Sequence, residues 1–82
     1  VFLTRGLEVV NVRQVGKEGN HLKLTVAHGR RAFDAIGFGM GASTSWIEVG
    51  AEVDLAYTPE FNEFNGNVGL QLRLSGVRQA EG

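Results

Sequence analysis

The sequence contains no cysteine and only one proline among 82 residues. Without cysteine there is no disulfide framework and no thiolate zinc site. A reducing compartment suits such a chain, and a cytoplasmic location is expected. No apolar run approaches the ~18 residues that a membrane helix needs. The start, VFLTRG, lacks the charged-then-apolar layout of a signal peptide. There is no excess of positive charge either: eight Lys and Arg stand against nine Asp and Glu, for a net charge of −1. That argues against a tight, purely electrostatic binder of duplex nucleic acid, which would be expected to carry a basic stripe. A weaker, stacking-assisted single-strand binder remains compatible, because the acids can lie away from one basic face.

Catalytic signals are equally sparse. His21 and His28 show no helical spacing and no third ligand, which argues against a metal site. Asp34 and Asp54 have no evident partner base, and no Ser/His/Asp set is present. The GFGMG stretch at 37–41 lacks the GK[ST] ending and long helix of a phosphate-cradling loop, and reads as a crowded barrel corner.

What is present is a β pattern. Glycine is plentiful, at 12 residues, which suits many tight turns. The length bounds one small domain, 1–82, that buries roughly 60–65% of its unfolded surface. The lack of an initiator Met and the polar end QAEG lead us to expect a piece of a larger protein. Residues 7–15 (LEVVNVRQV) read as a long first strand. The adjacent Val9 and Val10 break its alternation, as a bend between two sheet faces would. After a turn at 16–20, residues 21–26 form a second strand with Leu22, Leu24 and Val26 on one face. A basic turn at 27–31 leads to a third strand at 32–38. Residues 39–50 read as a glycine-rich crossing with a short helical or irregular segment. There Ser43 or Thr44 is a candidate cap and Trp46 a candidate plug for a barrel end. Residues 51–77 read as a hairpin whose strands flank a polar, aromatic loop, with Asn65-Gly66 as the turn. Residues 78–82 trail off. Five short strands with the break between the third and fourth predict an all-β, five-stranded Greek-key barrel of the OB type. An SH3-like barrel is the alternative.

HLKLTV (21–26), DAIGFGMG (34–41), the glycine-then-VDLAY step (50–57), and NEFNG followed by LQL (62–72) carry a family resemblance. The chain resembles the OB domain of RecJ-type single-stranded-DNA-specific exonucleases, from the first strand to Val77. The resemblance implies an accessory module that helps hold single-stranded DNA beside catalytic DHH and DHHA1 domains. It also implies a parent that is a 5′-to-3′ exonuclease of recombination and repair, dependent on divalent Mg or Mn. No DHH motif is present here, so this stretch is expected to have no nuclease activity and no cofactor of its own. Expected partners are single-stranded DNA, held weakly and without sequence preference, and the parent's catalytic domains. An architectural domain that packs on that core without touching DNA is the alternative.

OB barrels bind oligonucleotides across strands two and three, between the first and fourth loops. That places His21, Lys23 and Thr25 on the floor, Lys17 in the first loop, and Arg30 and Arg31 at the second turn. Phe61 and Phe64 offer stacking surfaces, or pin the fourth loop onto the core. On the third strand, Ile36 and Phe38 share a face and are expected inside. Phe33 is then outward, as a shallow stacking shelf. Arg13 and Arg73 are read as structural.

Overall fold

The alternation of Leu22, Leu24 and Val26 with His21, Lys23 and Thr25 becomes strand β2, with the aliphatic side chains fully buried. The computed structural model describes residues 1–80, the side chains of Ser43, Thr44 and Phe64 excepted. Its strands are β1 (Phe2–Val15), β2 (His21–His28), β3 (Arg31–Gly37), β4 (Glu52–Phe64) and β5 (Asn67–Gln79). They close into a barrel in the order β1-β2-β3-β5-β4. Every pairing is antiparallel except that of β3 with β5.

β1 is what closes the barrel. Its C-terminal half pairs with β2 and its N-terminal half with β4. Val9 lies opposite Val26 while Asn11 lies opposite Thr25, so Val10 is an extra residue and points out. The adjacent valines therefore mark a bulge, and the bulge supplies the bend. β1 also starts at Phe2, earlier than the pattern at 7–15 suggests. A second register shift between Thr4 and Leu7, with Gly6 at φ 71°, hides the alternation there.

The crossing from β3 to β4 holds a 3-10 turn at Gly41–Ser45. The plug of this barrel end is Ile47, at 3% exposure, and not Trp46, at 41%. Backbone bonds from Gly50 N to the Val9 carbonyl (2.8 Å) and from Gly41 N to the Asn20 carbonyl (2.9 Å) anchor the segment on both sides. They fix which side chain faces the core, and burying an isoleucine there contributes about 1.5–3 kcal/mol. The expected caps Ser43 and Thr44 lie outside the described side chains.

Gly41 is required by its neighbours. A Cβ at this position would fall on the Gly19 carbonyl and within 2.8 Å of the Asn20 carbonyl carbon, and these are backbone atoms that cannot swing away. Gly41→Ala is expected to cost about 1–3 kcal/mol, an overpacking penalty, read as a lower urea midpoint.

The hairpin turn is Asn65-Gly66, at φ 51° and 79°, the double left-handed geometry of a two-residue hairpin. β4 runs on through residues 58–64, where a loop was expected, and β5 continues to Gln79, where a tail was expected. Pairing persists to Phe64 opposite Asn67. This arm projects past the barrel, so it needs no apolar alternation and reads as loop in sequence.

Asp54 is 5% exposed. Its Oδ1 accepts from Gly6 N (2.9 Å) and its Oδ2 from Arg78 Nε (3.1 Å), tying β4 to both neighbours, β1 and β5. The Gly6 N–H, and then the Arg78 and Arg5 charges, hold its carboxyl below the usual aspartate range against the opposing effect of burial. A depressed folded value contributes stability above the unfolded one, and that stability is lost as pH falls through the folded value. Asp54→Asn is therefore expected to lower the urea midpoint at pH 7, with the gap to wild type narrowing below about pH 4.

Candidate nucleic-acid interface

Two residues directly opposite in a sheet share a face, so register decides which side each β3 residue takes. The tight β2–β3 turn sets His28 opposite Arg31, and hence Val26 opposite Phe33 and Leu24 opposite Ala35. Val26 and Leu24 are buried, so Phe33 and Ala35 point inward. Phe33 packs half-buried against the core and does not form an outward shelf. Phe38, expected inside, is exposed; Ile36 is buried as expected, at 9% exposure, although it sits on the outer side of β3, opposite Lys23 and Arg73. Alternation alone relates the two phenylalanines but cannot say which is inside. The solvated Asp34, on the same face as Ile36, agrees with the observed side.

Phe38, immediately after β3, is 56% exposed. The His21 ring meets it edge-on at 5.3 Å, and the Arg73 guanidinium lies 5.4 Å from its centroid. Gly39 N donates to His21 Nδ1 (2.9 Å), which fixes the imidazole and leaves Nε2 to carry the ring proton. Phe38 is thus a braced aromatic face open to solvent.

The same registers align cations beside it. Arg13 is opposite Lys23, Lys23 opposite Ile36, and Ile36 opposite Arg73. Among the described residues none of these three cations has an ion-pair partner; the Arg78–Asp54 pair lies elsewhere. Arg13 and Lys23 face each other as like charges, an unfavourable placement that a bound anion relieves. Toward the β2–β3 turn the next row is polar and acidic. There Thr25 Oγ1 donates to Asp34 Oδ1 (3.1 Å), and Asn62 Nδ2 donates to Gln71 Oε1 (3.2 Å). Asp34 and Glu60 border the basic row on this side.

Of the residues singled out from sequence, His21 and Lys23 belong to this face. Lys17 sits exposed in a 3-10 turn beyond its His21 end. Arg30 and Arg31 are exposed at the opposite end, five residues along β2 from Lys23, or about 16 Å at roughly 3.3 Å per residue. They are not brought together with Lys23. Phe61, 75% exposed, lies on the arm opposite Leu70. The Phe64 side chain lies outside the described ones. Arg13, Arg73 and Phe38 were missed. Arg73 alternates with Leu72 and Leu74, so its outward direction was readable, but its place beside Ile36 depends on the parallel β3–β5 pairing. Among the described residues no group of His, Asp and Glu side chains could hold a metal ion. Among the described residues no helix is long and apolar enough to cross a membrane.

A closed β1-β2-β3-β5-β4 barrel with a bent first strand and a plug between β3 and β4 defines an OB-fold domain. Solved structures that share it include the following two. One is the second single-stranded DNA binding protein (SSBb) from Mycobacterium smegmatis, with TM-score 0.75, 18% identity, and coverage of 95% of this chain and 82% of that one. The other is assigned as an aspartyl-tRNA synthetase from Leishmania major Friedlin, with TM-score 0.74, 15% identity, and coverage of 94% of this chain and 17% of that one. At such identities the likeness shows the fold. No curated protein sequence matches the chain. The RecJ OB domain model matches residues 1–76, and the chain belongs to that family.

Proposed function

We propose that this domain binds single-stranded DNA, weakly and without sequence preference, on the outer face of β2, β3 and β5. The observation that carries the reading is Phe38, an exposed ring braced by His21 and Arg73 at the end of the row Arg13, Lys23, Ile36, Arg73. A base stacks on any aromatic face, and cations follow any backbone, so the arrangement holds a strand without reading it. Family membership and the OB fold shared with SSBb support the same reading. The domain would serve a RecJ-type 5′-to-3′ exonuclease of recombination and repair. DHH and DHHA1 domains outside residues 1–82 would supply the chemistry and the divalent Mg or Mn.

Fluorescence anisotropy with a labelled oligothymidylate tests this. Three phosphate contacts give a slope of log affinity against log salt of about −2, since each contributes about −0.7 on single strands. Raising salt from about 50 to 200 mM should therefore weaken binding about twentyfold. No binding at the lower salt by the folded domain would defeat the reading. The alternative, a domain that packs on the catalytic core without binding DNA, is favoured by the arm, where Phe61 and Val68 are both largely exposed. Binding by the isolated domain separates the two.

A further inference from the structure

The outer-face site leaves Arg30, Arg31, Phe33 and Phe61 without a role, yet all four lie toward one end of the barrel. Ile47 plugs the other end. At this end the start of β1, the β2–β3 turn and the β4–β5 arm surround a cleft of about 260 Å³. Its walls include Phe2, Phe33, Tyr57, Leu70 and Leu72, with the exposed His28 at the edge. Phe61 extends the wall along the arm, opposite Leu70.

We infer that this cleft holds one unstacked base of a bound single strand. The inference rests on the single-strand reading and adds a second point of contact to it. The size fits one planar heterocycle, lying just below the roughly 300–1,000 Å³ of pockets for larger ligands. The walls offer ring faces, with Phe2 and Tyr57 stacked at 6.1 Å and 26°. A polar group is also at hand, because Tyr57 OH and Thr4 Oγ1 are hydrogen-bonded to each other at 2.9 Å. One hydroxyl proton satisfies that bond, so the second is free to meet a base edge.

Charge points to the same occupant. Arg30 and Arg31 stand exposed on the turn that forms one lip, where a backbone entering the cleft would place its phosphates. Asp34 lies between this lip and the basic row, so favourable phosphate contacts fall at the two ends of the face. A strand lying on Phe38 and crossing Gly29-Arg30 would present its next bases to the open barrel end.

The test is an NMR titration of methyl and aromatic signals with an oligothymidylate of about 12 nucleotides, within the roughly 4–16 that an OB barrel covers. The expected result is movement at Phe33, Tyr57 and Leu72 together with Ile36 and Phe38. Leu70→Trp fills the cleft from its partly exposed rim. It should abolish the Phe33 and Leu72 shifts, keep those of Ile36 and Phe38, and weaken binding roughly tenfold, the loss of one stacked base. Shifts confined to Ile36 and Phe38 would overturn the inference, leave the outer-face site standing, and assign the cleft to a protein contact. Cleft shifts that persist in Leu70→Trp would overturn it as well. No shift at either place would remove the single-strand reading and this inference together. If Leu70→Trp does not fold, a nitroxide-labelled strand on the wild-type domain decides. Broadening of Leu72 as strong as that of Ile36 supports the cleft, and broadening of Ile36 alone refutes it.

Discussion

Phe38→Ala should weaken single-strand binding roughly 5- to 150-fold while leaving the fold intact. The range follows from the ~1–3 kcal/mol that one stacked base is worth. The ring contributes little to the core, being 56% exposed beyond the end of β3, so its removal opens no buried cavity. Thermal unfolding should stay within about 0.5 kcal/mol of wild type, as for other surface changes. His21 and Arg73 also lose the face they brace against, so the binding loss includes their disordering. Phe38→Trp keeps a stacking surface and should keep most of the affinity. Equal affinity in Phe38→Ala and wild type would show that bases lie elsewhere.

The second large effect is electrostatic. Reversing Arg13, Lys23 and Arg73 to Glu should lower affinity at about 50 mM salt on the order of 100-fold. Each exposed ionic contact is worth up to about 1 kcal/mol, and three are lost together. The salt slope should flatten from about −2 toward zero, because no counterions remain to be displaced at these positions. Arg13→Glu alone is an informative companion. It turns the Arg13–Lys23 opposition into an attractive cross-strand pair, so the fold should gain about 0.2–1 kcal/mol while binding weakens. Stability and binding moving in opposite directions would mark the like-charge pair as a site feature. Loss of both would mark Arg13 as structural.

Local chemistry made much of the barrel legible. The alternation in β2, the bend signalled by Val9 and Val10, and the Asn65-Gly66 turn are written in neighbouring residues, and each is present in the structure. What stayed hidden depends on contacts distant in sequence. The parallel pairing of β3 with β5 brings Arg73 beside Ile36, and nothing near Arg73 announces it. Phe33 and Phe38 were correctly placed on opposite faces, but their sides were exchanged, since the turn register that sets Phe33 opposite Val26 is a two-strand property. Trp46 was read as the plug from its place in the segment between the third and fourth strands, whereas bonds to Val9 and Asn20 orient that segment and Ile47 is the buried residue. The arm read as loop because strands projecting beyond a barrel need no buried face. For the site, His21 and Lys23 were legible as outward residues of an amphipathic strand. Their company was not.

The most direct test of the outer-face site is photocrosslinking of an oligothymidylate carrying 5-iodouracil, followed by mass spectrometry of the tryptic peptide spanning 32–73. The expected result is a crosslink at Phe38, lost in Phe38→Ala and suppressed by high salt. Crosslinks confined to 28–31 or to the arm at 58–68, with Phe38 unmodified, would contradict a strand lying across the face of β2, β3 and β5.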